Sequence, residues 1–191
     1  MINFNPQNLL LSVAILCASL TSLAEVPKWQ ILPEKSTISF TATQNNAPVT
    51  GDFKTFSGDI NFDPEQLSVS NVTIVIDIGS VKTSYAEIAK TLLTPEWFDV
   101  KSFPHATFKA TSFTKLGENS YQANGTLFLR DKSSPLTLTF QLQPISKTTT
   151  IAKGEATLQR SNFGVGRGEW ASTDNVKDEV KINFTLTASK K

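Results

Sequence analysis

The chain has 191 residues, 18 Lys+Arg against 17 Asp+Glu, a formal net charge of +1 and a hydrophobic content of 39%. Near-neutral charge argues against a nucleic-acid binder, which needs a basic surplus to displace counterions from phosphates. One Cys and one His exclude a disulfide scaffold and a zinc site, and they leave almost no His-dependent catalytic constellation.

Residues 1–24 contain no Asp, Glu, Lys or Arg, and the run from Leu9 to Leu20 is apolar. Ser22 and Ala24 stand at −3 and −1 of a cut before Glu25, the pattern of a cleaved secretory signal peptide. The run is shorter than the roughly 20 residues that a spanning helix needs. A lipoprotein reading of Cys17 fails on the bulky Leu16 before it. The expected product is residues 25–191, exported to the periplasm without a cysteine and stabilised by packing alone.

From there the chain reads as strands. Ile38, Phe40 and Ala42 alternate with polar neighbours. Over 48–62 the apolar set changes parity between Phe53 and Phe56, which predicts a bulge or bend at Lys54-Thr55. Val72, Ile74, Ile76 and Ile78 form the next set. Ser84 is a plausible N-cap for a helix carrying Tyr85, Ile88, Ala89, Leu92 and Leu93 at helical spacing, and Pro95 should end it. Trp97 and Phe98 follow in a short turn, and Pro104 holds Phe103 extended before the next strand. Strands over 106–113 and 120–130 precede three long alternations: Leu136 to Leu142, Ala152 to Leu158 and Val180 to Ala188. Asp63-Pro64, Gly117-Glu-Asn119 and Asp131-Lys-Ser-Ser-Pro135 are the turn signals.

Eight such strands with one helical insertion and no linker predict a single all-β domain. Its expected form is an eight-stranded antiparallel barrel of lipocalin-like type, closed because closure removes exposed edges. Lys and Glu on the polar faces at mid-strand favour a soluble barrel, apolar inside, over one facing lipid.

Chemistry is sparse. His105 stands at a strand junction, no carboxylate pair is marked by spacing, and Gly164-Val-Gly166-Arg-Gly168 lies between strands with no helix to make it a phosphate loop. No metal and no cofactor are expected. The aromatic residues, 13 Phe and 3 Trp, serve either a packed core or an apolar ligand cavity. On the cavity reading the strands supply Phe40, Phe56, Ile74 and Ile76, then Phe108, Leu138, Phe140, Ile182 and Phe184. The insertion adds Trp97 and Phe98, and the glycine-rich loop adds Phe163 and Trp170, both expected at the barrel mouth.

Several segments resemble one family in order. They are Gly51-Asp-Phe-Lys-Thr-Phe-Ser-Gly58, Ile60-Asn-Phe-Asp-Pro64, Trp97-Phe-Asp99, Phe103-Pro-His-Ala-Thr-Phe108 and Gly125-Thr-Leu-Phe-Leu-Arg130. Arg160-Ser-Asn-Phe-Gly164, Gly168-Glu-Trp170 and Val176-Lys-Asp-Glu-Val180 follow. Together they resemble the YceI family over about residues 29–188. The resemblance implies a lipocalin-like barrel, often periplasmic, that binds a polyisoprenoid lipid in a long internal cavity. Two departures bear on the head group: Lys35-Ser36 replaces a common His-Ser pair, and Ala86 to Leu93 lacks the usual Arg-Asp…His-Leu pattern.

Arg160 has two readings, a contact to a phosphate or quinone head group or a guanidinium packed on an aromatic such as Trp29 at the closed end. The insertion is expected to cover the mouth. The expected activity is a non-enzymatic carrier for a polyprenyl phosphate or quinone type of lipid, which implies transient contact with membranes or membrane electron-transport proteins. The alternatives are a lipid-modifying hydrolase or isomerase relying on His105, and a solid-cored interaction module.

Overall fold

The computed structural model describes residues 25–191; the expected signal peptide lies outside the described residues. Eleven strand segments form one sheet. They are β1 (Lys28–Ile31), β2 (Thr37–Gln44), β3 (Ala47–Phe53), β4 (Phe56–Asn61), β5 (Asn71–Asp77) and β6 (Val81–Thr83). After the helix α1 (Ala86–Leu92) come β7 (His105–Lys115), β8 (Ser120–Leu129), β9 (Lys132–Ser146), β10 (Thr149–Gln159) and β11 (Glu179–Lys190).

These segments occupy eight positions around a closed antiparallel barrel, because three positions hold a bent strand in two pieces. β1 and β2 both pair with β11, at Ala188–Lys190 and at Lys181–Thr185. β3 pairs with β2 and β4 with β1; β6 pairs with β3 and β5 with β4. The β1–β11 and β1–β4 pairings close the ring.

The bend expected at Lys54-Thr55 is present, and the Lys54 amide donates to the Ser80 carbonyl at 3.3 Å there. The short segments β1 and β6 carry too few alternating residues to be visible as strands in the sequence. Two local expectations change. Tyr85, not Ser84, is the N-cap of α1; its side chain makes no capping bond and is 72% exposed. The turn between β8 and β9 is also tighter than Asp131 to Pro135, since β9 already begins at Lys132. Pro135 is tolerated inside β9 because that stretch lies beyond the part paired with β10, which ends at Thr139, so one side needs no ladder bond.

Alternation sorts the faces. Ala156, Leu186 and Ala188 are buried inward, while Lys153, Glu155 and Lys181 are exposed outward at mid-strand. Among the described residues no helix is long and apolar enough to cross a membrane. β9 runs past the end of its pairing with β10, and the turn Arg160–Phe163 packs against it, bringing the segment 160–178 across one end of the barrel.

Candidate ligand-binding cavity

The inward faces do not meet at the barrel axis. They surround a cavity of about 480 Å³, within the usual range of small-molecule sites, with an almost wholly apolar wall. Of the residues expected on that wall, Phe40, Ile74, Ile76, Phe108, Leu138 and Phe140 are on it. So are Trp97, Phe98, Ile182 and Phe184.

The wall stays open partly because of glycine. Gly51, Gly125 and Gly154 face inward, and a Cβ on them would stand 2.5–2.6 Å from ring carbons of Phe40, Phe108 and Phe184, respectively. Each ring therefore occupies the space that a side chain would fill and lies along the wall rather than across the lumen. Two of them are blocked most closely by backbone that cannot move: a Cβ would be 2.3 Å from the Lys109 carbonyl oxygen at Gly125 and 2.4 Å from the Thr139 carbonyl oxygen at Gly154. Gly154→Val is expected to destabilise the barrel by about 2 kcal/mol and to push Phe184 into the lumen. Urea unfolding and a lipid titration of the same variant check both effects.

Further aromatic rings complete the wall. Phe62 packs edge-on to Phe113, Tyr121 and Phe140 at centroid distances of 5.2, 5.6 and 5.9 Å, and all four rings line the cavity. Phe62 lies just past β4, beside a turn signal. Phe113 has the wrong parity for the set Ala106, Phe108, Ala110 until the register shift between Ala110 and Ser112 turns it inward. Trp29 also lines the cavity and donates its indole N–H to the Phe62 carbonyl at 2.9 Å.

Three expected wall residues are elsewhere. Phe163 is only 1% exposed, yet it is off the cavity surface, in the turn that packs against β9. Phe56, the first residue after the bend, is buried in the core opposite Ile76 and also off the wall. Trp170 lines a smaller pocket with Ile88, Leu92 and Val176, between α1 and β2. Its ring centroid lies 5.6 Å from that of Trp97.

Arg160 also departs from its head-group reading. It is 3% exposed, and all its N–H groups are used by main-chain carbonyls. Nε donates to Lys177, Nη1 to Val165 and Gly166, and Nη2 to Trp170, Ser172 and Val176, at 2.8–3.2 Å. Burial lowers its pKa from the ordinary value, and Asp178 opposes that. Gly166, at φ +78°, brings its backbone so near that a Cβ would be 2.3 Å from Nη1. The aromatic partner is Trp97, whose ring centroid is 5.9 Å from the guanidinium carbon, and not Trp29.

Arg160 thus ties the segment 165–177 into a cap. Leu92, Trp97, Val165 and Val176 complete that end, all under 9% exposed. The insertion, expected to cover the mouth, does cover one end of the barrel, and the glycine-rich loop, expected at the mouth, lies with it at this closed end. The opening is at the opposite end, where the lining passes to Pro64, Glu65, Lys115, Glu118, Asn119 and Ser146. His105 is exposed at the start of β7, opposite Asp77. Among the described residues no group of three or more His, Cys, Asp or Glu is placed to hold a metal.

This chain is similar to several known proteins. A solved structure of Burkholderia cenocepacia BcnA superposes with a TM-score of 0.78 at 32% identity, covering 82% of this chain and 98% of that one. A domain from Saccharophagus degradans, described as polyisoprenoid binding and implicated in plant cell wall breakdown, superposes at 0.70 with 17% identity, covering 85% and 98%. Protein YceI of Salmonella arizonae is 38% identical over 92 residues, 48% of each chain, so the alignment spans about half the length of that curated relative. The profile of the YceI-like domain matches residues 29–188, and the chain belongs to that family.

Proposed function

We propose that this protein is a non-enzymatic binding and carrier protein for an isoprenoid-tailed lipid, of polyprenyl phosphate or quinone type, acting in the periplasm. The observation that carries the reading is the cavity itself, an apolar tube walled by aromatic rings, capped at one end and open at the other. Burying each methylene contributes about 0.8 kcal/mol, so a few isoprene units supply useful affinity without a polar contact. Ordering the tail offsets part of that gain. The Saccharophagus degradans domain shares the fold, and its description as polyisoprenoid binding agrees with the reading.

The test is organic extraction and mass spectrometry of protein purified from the periplasmic fraction. A stoichiometric isoprenoid lipid, on a chain beginning at Glu25, is expected. The proposal fails if no apolar ligand co-purifies and tryptophan fluorescence does not respond to added polyprenyl phosphate or quinone.

A further inference from the structure

The two ends of the cavity offer a lipid different chemistry. At the capped end, Arg160 has no N–H left to give, because every one is held by a carbonyl of its own loop. The indole N–H of Trp97 is buried there without a partner, a single donor against the several acceptors of a phosphate or carboxylate. A charged head at that end would lose its water and gain almost nothing in return.

At the open end the lining becomes polar and wet. Glu65, Lys115, Glu118, Asn119 and Ser146 are all exposed and border the same cavity. Lys115 lies two residues beyond the inward ring Phe113 on β7, past the register shift, so alternation turns its stem toward the lumen. No ion pair engages its ammonium among the described residues. Just below it the rings of Phe62, Phe113, Tyr121 and Phe140 form an apolar collar. The order along the axis is therefore ammonium, aromatic collar, aliphatic wall, cap.

We infer that the ligand enters tail first through the end framed by the β7–β8 turn, its tail tip reaching Leu92, Trp97 and Val165 and its anionic head remaining at the rim on Lys115. This deepens the carrier reading and rests on it. Glu65 and Glu118 border the same rim, so the head is held by one cation and by hydrogen-bonding groups in water, and the contribution of Lys115 is modest. The head also stays exposed while the tail is bound, which suits exchange with a membrane surface.

The test uses the wild-type protein and stearic acid carrying a nitroxide at carbon 5 or at carbon 16. With the carbon-5 probe, NMR signals of amides 115–119 and 146–149 are expected to broaden. With the carbon-16 probe, those of Leu92, Trp97 and Val165 should. The opposite pattern, or the same broadening at both ends from either probe, overturns the orientation. Lys115→Ala is expected to weaken stearate binding about threefold and Lys115→Glu about tenfold, with octadecanol changed less than twofold. Equal effects on the acid and the alcohol overturn the assignment of the head to Lys115. If stearate, octadecanol and polyprenyl phosphate all fail to bind the wild type, the carrier reading fails, an outcome distinct from a reversed orientation.

Discussion

Arg160→Met should lower the stability of this protein by about 3 kcal/mol or more. The side chain is 3% exposed, and its loss strands main-chain acceptors on Val165, Gly166, Trp170, Ser172, Val176 and Lys177 in or near the core. For a domain of this size that corresponds to a fall in Tm of roughly 6–12 °C. Arg160→Lys keeps the charge but has no planar fork, so it should recover less than half of the loss. Thermal unfolding of the three proteins checks this. A second readout separates a cap from a head-group contact: the affinity of a charged lipid relative to its neutral counterpart should be the same in Arg160→Lys as in wild type. A selective loss for the charged lipid would return Arg160 to the head group.

The second large effect separates a hollow barrel from a solid one. Leu138 faces the lumen from β9. In a packed core, Leu138→Trp would cost about 1–3 kcal/mol through overpacking. In this barrel the added ring enters empty space, so the urea midpoint and the slope of unfolding should stay near wild type. Lipid binding should fall at least tenfold, since displacing only two methylenes removes about 1.6 kcal/mol of burial. A strong loss of stability together with unchanged lipid affinity would favour the interaction-module reading.

How much of this was legible in the sequence depends on how local the signal was. Ile38 to Ala42, Leu136 to Leu142 and Val180 to Ala188 carry period-two patterns long enough to define both a strand and its inward face. The parity change at Lys54-Thr55 located a bend that the backbone confirms. Most of the wall followed from these sets. Phe113 did not, because one extra residue near Thr111 reverses its side and the sequence does not mark the shift. Phe163 and Arg160 did not either, since each sits in an irregular loop whose packing partners come from distant segments.

By itself, then, the sequence determined an all-β chain, its long strands and most of the inward residues, because alternation follows directly from the pleat. It also pointed to the family, which the comparison over residues 29–188 shows. Only the tertiary structure decided which end of the barrel is open. That outcome depends on Arg160 gathering carbonyls up to 17 residues away and on β9 outrunning β10, so that the segment 160–178 folds across one end and leaves Lys115 at the other. Such long-range closure has no periodicity, and no local pattern announces it.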